Sequence, residues 1–253
     1  MHEPNVQRLM QIIQPGWQVL DIGGWACPFN RATHVMDAEA YATRGYYAKI
    51  GKPAFQGPAQ EHFTASTWIQ RDICGRQPYP FKDKELDYVT CSHTLEDIRD
   101  PLWVCSEMVR VAKRGYVEIP SRMWETCRGT EHPRLAGLSH HRWLIEVSGN
   151  HISFLPKFHM IHRDPAFNFP PATLGRMKEE DAIAYLFWDG EFTFAERTIH
   201  GTDAMAAELV RYAGEHAALA GSQSFHCGWI RFLDQLNLQC QRGQRALRRI
   251  TGG

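Results

Sequence analysis

Short apolar runs recur along the first half of the chain, separated by polar stretches that carry glycine or proline. Runs at 17–22, 33–37, 67–71, 86–91 and 116–119 have the length and the β-branched or aromatic content of strands. Helix-like segments lie between them, and strands that alternate with helices predict a parallel sheet with crossover connections. The clearest helix falls between the last two runs. Asp100 is placed to cap it and Pro101 suits its first position, while Leu102, Cys105, Met108, Val109 and Ala112 share a face and Gly115 can end it. The predicted class is α/β, with a doubly wound, mainly parallel sheet.

After Pro120 the pattern changes. "HHRWLIEV" and "HISFLPKF" are strand-like runs about the polar "SGN", which predicts an inserted hairpin. Residues 163–181, rich in proline, phenylalanine and charge, read as loop. "AYLFWDGEFTFAERTI" returns to alternation and predicts an antiparallel pair about Asp189-Gly190 that completes the sheet. From Asp203 the chain reads as helix, with a break near Gly221 and a second helix to about Arg249. The expected organisation is one domain over 1–200, with 122–182 inserted in it, and a helical C-terminal appendage over 201–253. Apolar positions of that appendage, such as Ile230 and Leu233, can pack on the parent domain or form a homodimer contact.

Charge narrows the partners. Lys and Arg number 28, as do Asp and Glu, so no net field draws the molecule to nucleic acid or an anionic membrane. Seven cysteines are scattered without CxxC spacing, which argues against a disulfide framework and fits a reducing, cytoplasmic setting. No apolar run approaches the roughly 18 residues of a membrane span, so neither membrane insertion nor an export signal is expected.

The chemistry concentrates at strand ends. "VLDIGGWACPF" runs a strand through Asp21 into Gly23-Gly24, a turn that lets backbone approach a ligand. A dinucleotide fingerprint would need glycine where Trp25 and Cys27 stand, so the loop counts against NAD more than against a nucleoside ligand that lacks a pyrophosphate. The second run ends in Asp37, placed to accept from ribose hydroxyls, and the third is followed by Asp72 and Ile73, placed to meet an adenine. Each acid alone can be a helix cap, but three on successive strands mark one ligand edge.

Residues 19–121 resemble class I S-adenosylmethionine-dependent methyltransferases, especially the small-molecule group. The likeness runs from Asp72 through Pro80-Phe81 and "LDYV" to the Ser92-His93-Thr94-Leu95-Glu96 turn. It implies S-adenosylmethionine as cofactor, with Asp21, Gly23 and Gly24 beside its methionine part and Asp37 on the ribose. Asp72 and Ile73 would meet the adenine, and Cys91, Ser92 and His93 would line the floor. Trp25 and Cys27 depart from the family pattern, and Trp25 can serve as an apolar wall.

Methyl transfer to a hydroxyl needs a base. The candidates are His93, Glu118, His140 and His141, of which at most one of the two adjacent histidines points inward if the segment is extended. Arg142 can hold an anionic small-molecule acceptor. Residues 122–182 would form the acceptor side. Their likeness to methyltransferases of bacterial surface-sugar pathways makes O-methylation of a sugar or sugar-linked group the first expectation. N-methylation of a small amine, a non-catalytic adenosyl-binding scaffold and an NAD-dependent oxidoreductase are the alternatives. His132, His140, His141, His151, His159 and His162 crowd together, but no carboxylate or thiol stands at ligand spacing to His159 and His162, so spacing predicts no metal site.

Overall fold

The computed structural model describes residues 1–217. The expected break near Gly221, the second helix to Arg249 and the Ile230 and Leu233 contacts lie outside the described residues. Two compact units divide the chain: 1–125, 140–157 and 178–198 form the first, and the remaining segments the second.

In the first unit, strands β1 (Val19–Ile22), β2 (His34–Asp37), β3 (Trp68–Gln70), β4 (Tyr88–Ser92) and β5 (Arg114–Pro120) are parallel. An antiparallel strand, β8 (Ile183–Asp189), closes the sheet beside β5, giving the order β3-β2-β1-β4-β5-β8. This is the expected α/β fold with a Rossmann-like, mainly parallel sheet. The chain leaves β1 in one direction and enters β4 in the other, so the switch point falls between these two strands.

Alternation along the strands assigns the faces. Leu20, Ile22, Val89, Cys91, Val117 and Ile119 share a core with Val104, Cys105, Met108 and Val111 of helix α2 (Pro101–Val111). Val19, Tyr88 and Tyr116 turn the other way, onto Val6, Leu9 and Ile13 at helix α1 (Glu3–Ile12). Both faces are therefore covered, which is why β1 is apolar at every position but Asp21.

Several local expectations need correction. Asp100 does cap α2, accepting from Trp103 N–H at 3.1 Å, but the helix ends at Val111 and Gly115 lies inside β5. Its buried face runs through Val104, Cys105, Met108 and Val111, with Leu102 and Val109 at the margins. Among the connections of the parallel strands only that from β4 to β5 is an α-helix; a short helix, α3 (Arg122–Thr126), follows β5. Between β1 and β2 the chain is irregular, and between β2 and β3 it makes two 3-10 turns, Tyr41–Thr43 and Tyr46–Ile50. Pro28, Gly45, Gly51, Pro53, Gly57 and Pro58 punctuate these stretches too often for a helix to propagate.

The hairpin is present as β6 (Trp143–Ser148) and β7 (His151–Pro156). The run at 184–199 is not a self-paired hairpin. Its first part is β8 on β5, and its second, β9 (Thr193–Glu196), pairs parallel with β7 to make a three-stranded sheet. Lys84 helps fix this turn, its Nζ donating to the Gly190 carbonyl at 2.6 Å.

The second unit holds 3-10 turns at His159–His162, Pro165–Phe167 and Pro171–Thr173, and helix α4 (Thr202–Glu215). Phe169 meets Tyr212 of α4 with ring centroids 6.2 Å apart. Among the described residues no helix is long and apolar enough to cross a membrane.

Candidate functional site

A cavity of about 480 Å³ opens at the C-terminal ends of β1 to β4, the edge where such sheets bind ligands. Of the residues singled out by sequence, it gathers Gly23, Trp25, Asp37, Asp72, Ile73, His93 and Arg142. Ala26, Ala38, Tyr46, Tyr47, Cys74, Thr94, Asp97, Ile98 and Arg99 complete the lining, none of them named from the sequence as a site residue.

Both glycines answer to close packing. Gly23 has φ +75°, and a Cβ there would sit 2.1 Å from Thr94 Oγ1. A Cβ on Gly24 would sit 2.3 Å from Asp21 Oδ2. The loop beyond them is held by side chains in place of further glycines. Trp25 stacks on Tyr46 with centroids 4.9 Å apart, and its indole N–H donates to Thr43 Oγ1 at 3.0 Å. Its backbone N–H donates to Asp37 Oδ2 at 3.0 Å, and Asp37 Oδ1 accepts from the Glu39 N–H at 2.9 Å. Burial raises the Asp37 carboxyl above its ordinary range.

Asp21 is not on the cavity wall. Its side chain lies on the α1 face of β1, paired in register with Thr90, whose hydroxyl donates to Oδ1 at 2.8 Å while Phe29 N–H donates to Oδ2 at 2.9 Å. It ties the glycine loop to β4. Burial pushes its carboxyl up to about 6.

Asp72 stands two residues beyond the end of β3, on the lining and half exposed. It accepts from Cys74 N–H at 2.9 Å and from the Arg99 guanidinium at 2.5 Å, and the Arg99 bond holds its carboxyl below the usual range.

His93 follows β4 with φ +50°, a left-handed conformation that is uncommon for a side-chain-bearing residue and sets the ring at the strand tip. Its Nε2 is 3.1 Å from Glu118 Oε1 and its Nδ1 is 3.7 Å from Glu96 Oε1. Burial disfavours the ring's charge, yet the bonds to Glu118 and Glu96 outweigh it and raise the pKa to about 9. These two carboxylates favour the charged form of the ring and orient it at the strand tip.

Glu118 shares the α1 face of β5 with Tyr116, so it is absent from the cavity wall. It accepts from the Tyr116 hydroxyl, from His2 N–H at 2.9 Å and from the Asn5 amide at 3.2 Å. Burial alone would raise its pKa, but His93 and these donors bring it to about 2. Cys91 is buried in the core, and Ser92 stands at the end of β4 behind the lining.

His140 and His141 precede β6 and are not in an extended strand, so their rings do not face opposite ways as expected; the centroids lie 4.7 Å apart. His141 is buried and its Nδ1 is 2.6 Å from Glu125 Oε1. Arg142, exposed at the rim, reaches the lining from the residue before β6.

Residues 48–117 match the family model described as "Methyltransferase domain". That stretch, under a third of the chain, is similar to a methyltransferase domain. The matched stretch begins after β2 and ends in β5, leaving out the glycine loop where Trp25 and Cys27 stand. No curated protein matches the chain. Among solved structures it is similar to the YcgJ protein of Bacillus subtilis, at 16% identity over 47% of this chain and 52% of that one, TM-score 0.32. A phosphoethanolamine N-methyltransferase 2 of Haemonchus contortus, in complex with phosphomonomethylethanolamine and S-adenosylhomocysteine, matches at 18% identity over 47% of this chain and 28% of that one, TM-score 0.34. An S-adenosylmethionine-dependent methyltransferase of Mesorhizobium loti matches at 11% identity over 61% and 62%, TM-score 0.33. The chain spans about half the length of the structures it first matches.

Proposed function

We propose that the chain binds S-adenosylmethionine in this cavity and methylates a small polar acceptor, with O-methylation of a sugar or sugar-linked group as the first reading. The supporting observation is that Asp37 and Asp72, at the tips of neighbouring strands, open on one cavity with Gly23 and His93. The cavity suits an adenosyl group. Gly23 brings the backbone to the lining without a side chain, Trp25 and Ile73 offer apolar walls, and Asp37 keeps acceptor capacity for ribose hydroxyls beyond its two backbone bonds.

The bound donor would supply an electrophilic methyl carbon on a sulfonium sulfur. The chain's residues then hold the partners in line and keep water out. Asp37 and Asp72 fix the adenosyl end, which leaves the Asp97 and Arg142 side for the acceptor. The Arg142 guanidinium gives that side a positive charge for a carboxylate or phosphoryl group. N-methylation of a small amine is the second reading, since an amine can lose its proton without a dedicated base.

Calorimetric titration with S-adenosylhomocysteine and with NAD tests the reading. S-adenosylhomocysteine should bind and NAD should not. Asp37→Ala should weaken binding by about 1–3 kcal/mol, the cost of stranding the ribose hydroxyls, and unchanged affinity in that variant would overturn the assignment. Transfer of label from methyl-labelled donor into a small-molecule extract separates an enzyme from a binding module.

A further inference from the structure

On the acceptor side, three side chains direct ligand atoms at one small space. His141 Nε2 lies 3.5 Å and His140 Nε2 3.8 Å from Asp97 Oδ1, and the three atoms are all within 4.8 Å of one another. Among the described residues this is the one gathering of three such groups. Asp97 Oδ1 is closed off from solvent and accepts no hydrogen bond, an arrangement that proteins avoid unless something else fills the place. The 3.5 Å from His141 is too long for an N–H···O bond to fill it.

The remaining nitrogen of His141 is already committed. Nδ1 sits 2.6 Å from Glu125 Oε1, and Glu125 Oε2 accepts from Lys157 Nζ at 2.5 Å. A neutral imidazole that donates its Nδ1–H to Glu125 directs its Nε2 lone pair toward Asp97. That carboxylate-to-histidine relay is how proteins orient a histidine for metal. His141 is 5% exposed at its side chain, so the orientation is fixed by packing as well.

We propose that Asp97, His140 and His141 bind one divalent first-row transition metal ion, with its remaining coordination positions open to the cavity. Two imidazoles and one carboxylate favour zinc, iron(II), cobalt or manganese over magnesium or calcium. Ligands about 2.0–2.2 Å from one ion stand roughly 3–3.6 Å apart, so Asp97 and His141 are already at distance. His140, 61% exposed at its side chain, has room to swing in. The sequence could not disclose the site, because Asp97 follows β4 and the histidine pair enters just before β6. Since Asp97 lines the cavity, an acceptor hydroxyl entering an open position would lose its proton more readily, a role that rests on the methyl-transfer reading. Metal binding itself does not rest on it.

The test uses the full chain, stripped with a chelator and titrated with Co²⁺ at neutral pH. Visible d–d absorption and calorimetry report the metal, and S-adenosylhomocysteine affinity is measured on the same samples. One Co²⁺ per chain is expected, with Asp97→Asn and His140→Ala each weakening it about tenfold or more, Glu125→Gln doing so through the orientation of His141, and His159→Ala leaving it unchanged. His140→Ala removes an exposed ring and should keep the melting temperature. No d–d bands up to about 1 mM Co²⁺, or binding indifferent to both Asp97→Asn and His140→Ala, would overturn the site. S-adenosylhomocysteine binding without Co²⁺ binding sinks this inference alone, and the reverse sinks the cofactor reading alone.

Discussion

Asp21 shows how one carboxylate can serve a site it does not line. Its two oxygens hold Phe29 N–H and the Thr90 hydroxyl, and the absent Cβ of Gly24 is what lets it fit. Burial raises its pKa from 3.8 to about 6. The folded chain therefore binds this proton more tightly than the unfolded chain, and the group's contribution to stability is lost as pH rises through that window. Asp21→Asn keeps an acceptor for Phe29 and offers an amide to Thr90, while removing the charge. Urea denaturation across pH should show the native chain losing up to about 3 kcal/mol relative to the variant between pH 4 and 7. Parallel profiles would mean that Asp21 is not buried as described. Glu118 and His93 teach a related lesson: both were legible as titratable groups near strand ends, but strand alternation and paired carboxylates, which decide their roles, are not written in residue type.

At the level of elements, β5 carries the most constraint. Gly115 stands opposite Trp188 of β8, and a Cβ there would meet the indole ring at 2.6 Å. Trp188 is 4% exposed, so its ring cannot swing out to solvent without losing buried contacts. Gly115→Ala should cost about 1–3 kcal/mol by overpacking and shift the tryptophan emission; an unchanged melting temperature would contradict the register. The five parallel strands were legible because buried strands read as continuous apolar runs. The α2 cap was legible from Asp100-Pro101. What the sequence hid was long-range: Gly115 looked like a helix stop because its partner is 73 residues away, and β9 looked like the mate of β8 because proximity along the chain favours hairpins. Of the site, the acids of β2 and β3 were legible, whereas Tyr46, Tyr47 and Arg99 reach the wall from irregular segments without periodicity.

For the whole molecule the balance of charge matters most. With 28 basic and 28 acidic residues and a pI near 7.2, little net repulsion separates copies at neutral pH. Solubility at low salt should pass through a minimum near pH 7 and recover at pH 6, where some of the 13 histidines are charged, and again at pH 8.5. Light scattering across that series checks it, and a solubility that falls steadily toward pH 6 would be the contrary result. Association by backbone pairing is a separate hazard, and here the order of the sheet has a consequence. The margin at β3 is three residues long, so a passing chain finds only a brief row of unpaired amides and carbonyls to extend. A ladder that short gives fibril growth little to build on from that side, even when the molecules are crowded and uncharged.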